Sequence, residues 1–306
     1  MITAKIIMNN TKTILVTGST GQLGQSIKTV IAEDLDDAGY EFVFAHREQL
    51  DLSNATSITN FFEHNTFDVI INCAAHTAVD KAESEPELAN QINHLAVQQL
   101  AEIAQRHNAK LIHISTDYVF NGQQYRPYIE TDHVEPQGVY GLTKLNGEQA
   151  IQNTMDNNAI IIRTSWVYSE YGNNFVKTML RLGKERDSLN VIFDQVGTPT
   201  YAQDLAKAIM SIVQSPVFNQ TQFQTNIMHF SNEGVASWYD FANTIFELSH
   251  IECQVTPIET KDYPTPATRP HYSVLNKTKI KDSFNLTIPY WKDSLKQCLL
   301  ALQDDA

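Results

Sequence analysis

A short apolar run that leads through glycines into a helix is the feature that most limits the fold. The run TILVT at 13–17 predicts a buried strand, and GSTGQLG at 18–24 follows it directly. In this G-x-x-G-x-x-G spacing, Gly18 permits a tight turn, Gly21 lets a ligand approach the backbone, and Gly24 lets the helix pack closely on the sheet. Free N–H groups at a helix start favour anions. The loop therefore predicts a site for a diphosphate, and the alternative is a plain turn.

Strand-like and helix-like segments alternate through the first half of the chain. Further strands are predicted at 42–45, 67–72, 110–114 and 160–163, and helices at 22–34, 87–107 and 140–153. Strands that alternate with helices are typical of a parallel sheet covered on both faces. We therefore expect an α/β fold with a Rossmann-like, doubly wound sheet.

The alternation loosens after about residue 164, which predicts a second region. Helices are predicted there at 173–185, 202–214, 237–248 and 291–302. We expect residues 1–12 to be a loose N-terminal extension with Met8 as an alternative start, 13–165 a dinucleotide-binding domain, and 166–306 a smaller α/β substrate-binding region. The boundary is soft, and elements of the two regions are free to interleave.

The net charge and the cysteine content of the chain indicate which classes of partner it can bind and in which cellular compartment it works. The net charge of −13 over 306 residues disfavours a nucleic-acid partner but leaves a small anionic ligand open. The three cysteines have no metal or redox-motif spacing, which favours reduced thiols. No stretch reads as a signal peptide or a membrane span. We therefore expect a cytoplasmic protein without a membrane or nucleic-acid partner.

The end of the second strand bears on the choice of nicotinamide cofactor. An acid at this position binds the adenosine ribose, whereas an arginine accommodates a 2′-phosphate. The strand at 42–45 ends in His46-Arg47, which favours NADPH with Arg47 on the phosphate. Glu48 follows, so use of NADH stays open. Asp51 and Leu52 are predicted to border the adenine, and the alternative for Asp51 is a helix cap.

Three side chains form a set that predicts proton transfer. Tyr140 and Lys144 are four residues apart and share one face of a predicted helix. A neighbouring ammonium favours the phenolate and lowers the pKa of tyrosine. Thr116 follows the strand at 110–114, at the end where ligands bind in this class of fold. We interpret the set as one that protonates a ketone oxygen while hydride reaches the carbon. The alternatives are an ordinary helix surface and a turn cap.

Several long segments carry a resemblance that extends to near residue 270. They are NCAAHTAVDKAESE at 72–85, STDYVF at 115–120, YGLTK at 140–144, RTSWVY at 163–168, NNFVKTMLRL at 173–182, DQVGTPT at 194–200 and YPTPATRP at 263–270. Through them the chain resembles the extended short-chain dehydrogenase/reductase family. Within that family it is similar to the reductases that act on dTDP-4-dehydrorhamnose. These segments together are more specific than the glycine loop alone.

The resemblance implies a reaction and a role for each matching residue. The reaction is reduction of the C4 ketone of dTDP-4-dehydro-L-rhamnose by NAD(P)H to dTDP-L-rhamnose, in nucleotide-sugar biosynthesis. Tyr140 would donate the proton, Lys144 would bind the ribose and tune Tyr140, and Thr116 would contact the reacting oxygen. The implied cofactor contacts are Gly21, Gln22 and Leu23 at the diphosphate and Ala75, His76 and Thr77 elsewhere, and the implied substrate contacts are Asp117 and Trp166.

Other interpretations stay open at this point. Trp166 is also compatible with a core aromatic and His76 with polar packing. Charge alone suggests that Arg269 pairs with the substrate diphosphate, and a solvated arginine is the alternative. Two rival functions stay open. One is a non-catalytic NADP-binding regulatory subunit of the same subfamily, and the other is a nucleotide-sugar epimerase or dehydratase. We assign no metal site to the sequence, and a homodimer is the commonest state of such enzymes.

Overall fold

The β-branched apolar runs of the sequence form strands, and the amphipathic segments between them form helices. We describe residues 11–34 and 39–304 of a computed structural model. The strands are β1 (Lys12–Thr17), β2 (Tyr40–Ala45), β3 (Val69–Asn72), β4 (Lys110–Thr116), β5 (Ala159–Thr164), β6 (Val167–Tyr168), β7 (Ser188–Ile192), β8 (Val196–Gly197), β9 (Thr200–Tyr201), β10 (Asn226–His229), β11 (Ala236–Ser237) and β12 (Gln254–Ile258).

The predicted helices form close to their predicted positions, one of them with an interruption. The helices of the structure are α1 (Gln22–Asp34), α2 (Ala55–Glu63), α3 (Val79–Ser84), α4 (Pro86–Asn90), α5 (Ala96–Arg106), α6 (Val139–Thr154), α7 (Phe175–Glu185), α8 (Ala202–Gln214), α9 (Trp238–Ser249), α10 (Thr278–Phe284) and α11 (Trp291–Asp304). Of these, α2, α3 and α10 are helices that the sequence pattern did not predict. The long helix predicted at 87–107 is interrupted by a π-helical turn over Gln91–Leu95. Within this turn the buried Asn93 bonds back to His76, and such turns often occur at functional sites.

Six strands form one parallel sheet in the order β10-β5-β4-β3-β1-β2. The connection out of β1 leads to β2 on one side, whereas β3 pairs with β1 on its other side. The strand order therefore reverses between β1 and β3. Ligands of doubly wound folds bind outside the carboxyl ends of the strands at such a reversal. The predicted Rossmann-like fold is confirmed.

Alternate residues of each strand supply cores on the two faces of the sheet. Ile14 and Val16 pack with α1 and α8 on one face, and Leu15 packs with α2 and α5 on the other. Strands covered by helices on both faces read as continuous apolar runs for this reason. A further cluster joins α7, α9 and α11 around Phe241.

The second half of the chain contributes to both parts of the molecule. β10 completes the large sheet beside β5, and α8 packs on α1. The remaining short strands pair among themselves as β6 with β9, β7 with β12 and β8 with β11. The division at residue 165 stays a prediction. A boundary there would assign β10 to a different domain from the other strands of its sheet, and α8 to a different domain from α1. Of the predicted N-terminal extension, residues 1–10 lie outside the described residues, and Lys12 begins β1.

Within residues 11–34 and 39–304, helices are too short or too polar to cross a bilayer.

Candidate active site

A cavity of about 710 Å³ opens at the carboxyl ends of the central strands. Its walls come from the segments that follow β1, β3, β4 and β5, together with the start of α7 and α9. The predicted site residues that line it are Gly18, Gly21, Gln22, Leu23, Ala75, Thr77, Thr116, Asp117, Tyr140, Lys144 and Trp166. The fold thus brings together residues that are up to 148 positions apart in the sequence.

The three glycines of the phosphate loop differ in what requires them. Gly18 has a φ of +63°, and a Cβ there would lie 2.8 Å from the backbone N of Ala74. A Cβ at Gly24 would lie 2.5 Å from the carbonyl oxygen of Gly18, so the start of α1 can approach the loop only without a side chain. A Cβ at Gly21 would lie 3.2 Å from the carbonyl oxygen of Gly18, which is a tight contact but a longer one than those at Gly18 and Gly24. The protein's own packing therefore requires Gly18 and Gly24, while Gly21 leaves the backbone open beside the cavity.

Gln22 ties the phosphate loop to the second half of the chain. Its Oε1 accepts hydrogen bonds from Ser169 Oγ at 3.0 Å and from Asn174 Nδ2 at 2.9 Å. Asn174 also caps α7, where its side chain accepts from the backbone N–H of Lys177. The sequence pattern gave no reason to connect these positions, because the contact spans about 150 residues.

Thr116, Asp117 and Tyr140 meet where β4 ends. Thr116 Oγ1 donates to Asp117 Oδ1 at 3.0 Å and accepts from the backbone N–H of Tyr118. Burial raises the pKa of Asp117 to about 6, against the lowering effect of its hydrogen bonds. The ring of Tyr118 packs edge-on against the ring of Tyr140, with 5.5 Å between centroids. A buried threonine hydroxyl and a half-buried phenol therefore lie at the same end of the cavity.

Lys144 is buried and points its ammonium into the sheet. Nζ donates to the carbonyl oxygen of Ile114 at 2.6 Å and lies 3.2 Å from Nε2 of His113. Burial lowers the pKa of Lys144 to about 8, although the charge of Glu148 acts in the opposite direction. His113 was not among the predicted site residues, because it lies inside an apolar strand and contacts Lys144 only across the β4–α6 packing.

The pKa of Tyr140 corrects one prediction from the sequence. We expected the neighbouring ammonium to lower it, but burial raises the pKa of Tyr140 to about 12, aided by the charge of Asp117 and opposed by a hydrogen bond from Thr116. Nζ of Lys144 lies against the carbonyl oxygen of Ile114 and Nε2 of His113, and burial is the main influence on the pKa of Tyr140. Tyr140 is therefore held as a neutral phenol that can donate a proton.

Trp166 forms the aromatic wall of the cavity together with Trp238. The two indoles stack with 3.5 Å between ring centroids and 9° between planes. Trp166 has a φ of +48°, a strained conformation for a bulky residue. A Cβ at Gly197 would lie 2.8 Å from Cε2 of Trp166, so this glycine leaves space for the indole.

Three predicted cofactor contacts follow β2 outside the cavity lining. The Arg47 side chain is 74% exposed, with Nε 3.4 Å from Asp51 Oδ1. Asp51 accepts hydrogen bonds from both the backbone and the hydroxyl of Ser53. Leu52 is buried in the core beneath the sheet. Arg47 is thus accessible to a ligand from solvent although it is paired with Asp51, whereas the side chain of Leu52 is occupied by packing.

His76 and Arg269 are each engaged by another part of the protein. His76 Nε2 lies 3.3 Å from Glu85, beneath the segment of Ala75 and Thr77 that lines the cavity. The guanidinium of Arg269 donates to both carboxyl oxygens of Asp80, at 2.7 and 3.0 Å. Arg269 therefore joins the proline-rich loop to α3, a partner that the charge argument from sequence did not foresee.

Comparison with known proteins identifies the family of the chain. The model of the RmlD substrate binding domain family matches residues 12–304. A dTDP-4-dehydrorhamnose reductase of Aggregatibacter actinomycetemcomitans is 42% identical over 290 residues, which cover 92% of this chain and 97% of that protein.

Solved structures give the same result. A dTDP-4-dehydrorhamnose reductase ortholog of Clostridium acetobutylicum superposes with a TM-score of 0.87 at 41% identity, covering 95% of this chain and 99% of the other. The reductase of Bacillus anthracis, solved in complex with NADP, has a TM-score of 0.86 at 36% identity with the same coverage. The chain belongs to the dTDP-4-dehydrorhamnose reductase family.

Proposed function

We propose that the protein reduces the C4 ketone of dTDP-4-dehydro-L-rhamnose to give dTDP-L-rhamnose, with NADPH as the preferred cofactor. The observation that carries the proposal is one cavity lined by Thr116, Tyr140, Lys144 and the glycine loop, in a chain about as long as the reductases it matches. This activity places the enzyme in nucleotide-sugar biosynthesis.

The residues present fit a dinucleotide. The volume of about 710 Å³ lies within the range of roughly 300–1,000 Å³ that is usual for ligand sites. The open backbone at Gly21 and the start of α1 suit a diphosphate. Exposed Arg47 suits the 2′-phosphate that distinguishes NADPH from NADH. When bound, the cofactor supplies the hydride for C4.

The protein's own part in the reaction is to orient the ketone and supply the proton. Tyr140 O–H gives its proton to the C4 oxygen, and Thr116 hydrogen-bonds the same oxygen as negative charge develops there. Lys144 holds the ribose of the cofactor. Asp117 and the Trp166 indole contact the sugar, and the smaller region after residue 165 supplies the aromatic wall. Arg269 acts through Asp80 as a tether of the proline-rich loop.

The environment we propose is cytoplasmic, and the assembly a homodimer. Free cysteines at 73, 253 and 298 support a reducing compartment. The dimer rests on the general frequency of two-fold assemblies.

The test is the absorbance of NADPH after addition of freshly prepared dTDP-4-dehydrorhamnose. We expect stoichiometric oxidation of NADPH, faster than with NADH, and transfer of deuterium from labelled NADPH to C4 of the product. Binding of NADPH without oxidation would instead favour a regulatory subunit. Protein that purifies with bound NAD and turns over without net oxidation would favour an epimerase or dehydratase.

A further inference from the structure

A chain of buried polar groups lies behind Lys144, in the middle of the sheet. Thr17, Asn72 and His113 belong to β1, β3 and β4, and each is at most 1% exposed. The site described above uses only the far end of this chain. Buried polar groups are costly unless every one is hydrogen-bonded, so a continuous row of them needs an explanation.

The hydrogen bonds of this row all run in one direction. The backbone N–H of Ala74 donates to Thr17 Oγ1 at 3.3 Å, and the Thr17 hydroxyl donates to Asn72 Oδ1 at 2.7 Å. The next link joins Asn72 Nδ2 to His113 Nδ1 at 3.0 Å. When Nδ1 accepts, a neutral imidazole carries its hydrogen on Nε2. That nitrogen lies 3.2 Å from Lys144 Nζ.

The groups around the His113 imidazole and the Lys144 amine are compatible with a hydrogen bond donated from Nε2 to Nζ. Burial is the main cause that holds the pKa of His113 well below its usual value, and any charge on Lys144 acts in the same direction, so the ring is neutral in either state of the amine. Glu148 on α6 faces Lys144 and favours the ammonium, but it is already paired with Arg163 of β5 at 2.6 Å. The cavity side of Lys144 holds Tyr140 and Asp117. Among residues 11–34 and 39–304, His113 is therefore the core-side group placed to donate a hydrogen bond that a neutral amine could accept.

We propose that His113, oriented by Asn72 and Thr17, is a positioning residue that donates a hydrogen bond to Nζ of Lys144 and favours the neutral amine in the free protein. The anionic cofactor then favours the ammonium, so its binding draws a proton from water onto Nζ. The inference rests on the proposed function only in taking NADPH as the ligand. Because Thr17 directly precedes the phosphate loop, the chain also links that loop to the charge of Lys144.

Proton uptake on NADPH binding tests this directly. Calorimetry in two buffers of different ionisation enthalpy counts the protons taken up between pH 7.5 and 9.5. The 2′-phosphate of NADPH does not contribute in this range, because a phosphate monoester has a pKa of roughly 6. Wild type should take up part of a proton in this range, and Lys144→Met should take up none. His113→Leu, which cannot donate, should move the uptake profile to higher pH by roughly half a unit to one unit.

Two further variants separate positioning from simple packing. His113→Gln keeps an N–H donor and should restore most of the wild-type profile. His229→Leu changes a histidine that is equally buried but bonded to the backbone of Tyr128, and it should leave the profile unchanged. An uptake profile that does not move in His113→Leu contradicts the proposal. A profile that moves to lower pH also contradicts it, because the ring would then accept a hydrogen bond from the ammonium.

The tautomer of His113 gives a second readout that needs no ligand. In ¹⁵N-histidine-labelled free protein, we expect the His113 ring to be neutral with its hydrogen on Nε2 from pH 6 to 9. A hydrogen on Nδ1 overturns the proposal. If the wild type fails to bind NADPH at all, the cofactor assignment fails while this spectrum still decides the role of His113.

Discussion

Single residues at the carboxyl end of β4 determine the chemistry of the site. Thr116 and Asp117 are buried beside the half-buried Tyr140, and the environment raises the pKa of Asp117 to about 6 and that of Tyr140 to about 12. Burial disfavours the charged form of each acid and raises its pKa. Tyr140 thus stays a neutral proton donor. The ionised form of Asp117 is disfavoured by burial and therefore lowers the stability of the folded protein above pH 6.

That cost leads to a prediction for Asp117→Asn. The pKa of Asp117 is raised to about 6, so the folded state binds its proton more tightly than the unfolded state. Its contribution is present in full below the unfolded pKa and is lost as pH rises through 6. We expect the variant to gain up to about 3 kcal/mol of stability at pH 8. The substrate KM should rise in the same variant.

Denaturant unfolding at pH 8 and pH 4.5 measures the effect. The gain should shrink at pH 4.5, where the wild-type carboxyl is protonated too. An equal change at both pH values would mean that shape, rather than ionisation, is responsible.

Individual residues also show where sequence reasoning succeeds. Gly18, Tyr140 and Lys144 were predicted because their spacing is local and has a direct geometric meaning. His113 and Gln22 were not, because their partners come from distant strands and loops. Leu52 was predicted to border the adenine because it follows the second strand, and this stays a prediction for its backbone because its side chain packs in the core.

At the scale of elements, the turn from β1 into α1 holds the phosphate loop at the reversal of strand order. Its glycines serve different purposes, and this can be tested with two matched substitutions. Gly24→Ala places a methyl group against the loop backbone and should lower Tm by several degrees. Gly21→Ala makes one tight contact, with the carbonyl oxygen of Gly18 at 3.2 Å, so it should lower Tm less than Gly24→Ala while weakening NADPH binding about tenfold or more.

Thermal unfolding and NADPH titration of both variants check this prediction. If Gly21→Ala binds NADPH as tightly as wild type, the ligand does not approach the backbone at this glycine.

The sequence predicted the turn from β1 into α1 well, because strand, turn and helix follow one another directly. It did not predict β10, whose run NIMH is short and is recognised as a strand only through its pairing with β5.

At the scale of the whole molecule, a buried ion pair connects the helices to the sheet behind the site. Glu148 of α6 accepts from Arg163 of β5 through both Nε and Nη2, and from Ser115 of β4. Glu148 is fully buried and Arg163 is 2% exposed. Removing one member of such a pair leaves an uncompensated charge in the core.

We therefore expect Glu148→Gln to lose about 3–5 kcal/mol of unfolding free energy. The matched control is Glu185→Gln, which removes the exposed partner of Arg181 and should cost within about 0.5 kcal/mol. Urea denaturation of the two variants compares them. A small loss in Glu148→Gln would show that the network repacks around the arginine.

The most direct measurement of the central claim is single-turnover reduction of dTDP-4-dehydrorhamnose by wild type, Tyr140→Phe and Tyr118→Phe. Both tyrosines line the cavity, and their rings are in contact. Loss of the proton donor should slow the chemical step about 10²–10⁴-fold in Tyr140→Phe, with NADPH affinity retained. Tyr118→Phe should stay within about tenfold of wild type. Equal rates for Tyr140→Phe and wild type would show that the proton comes from another group and would contradict the account.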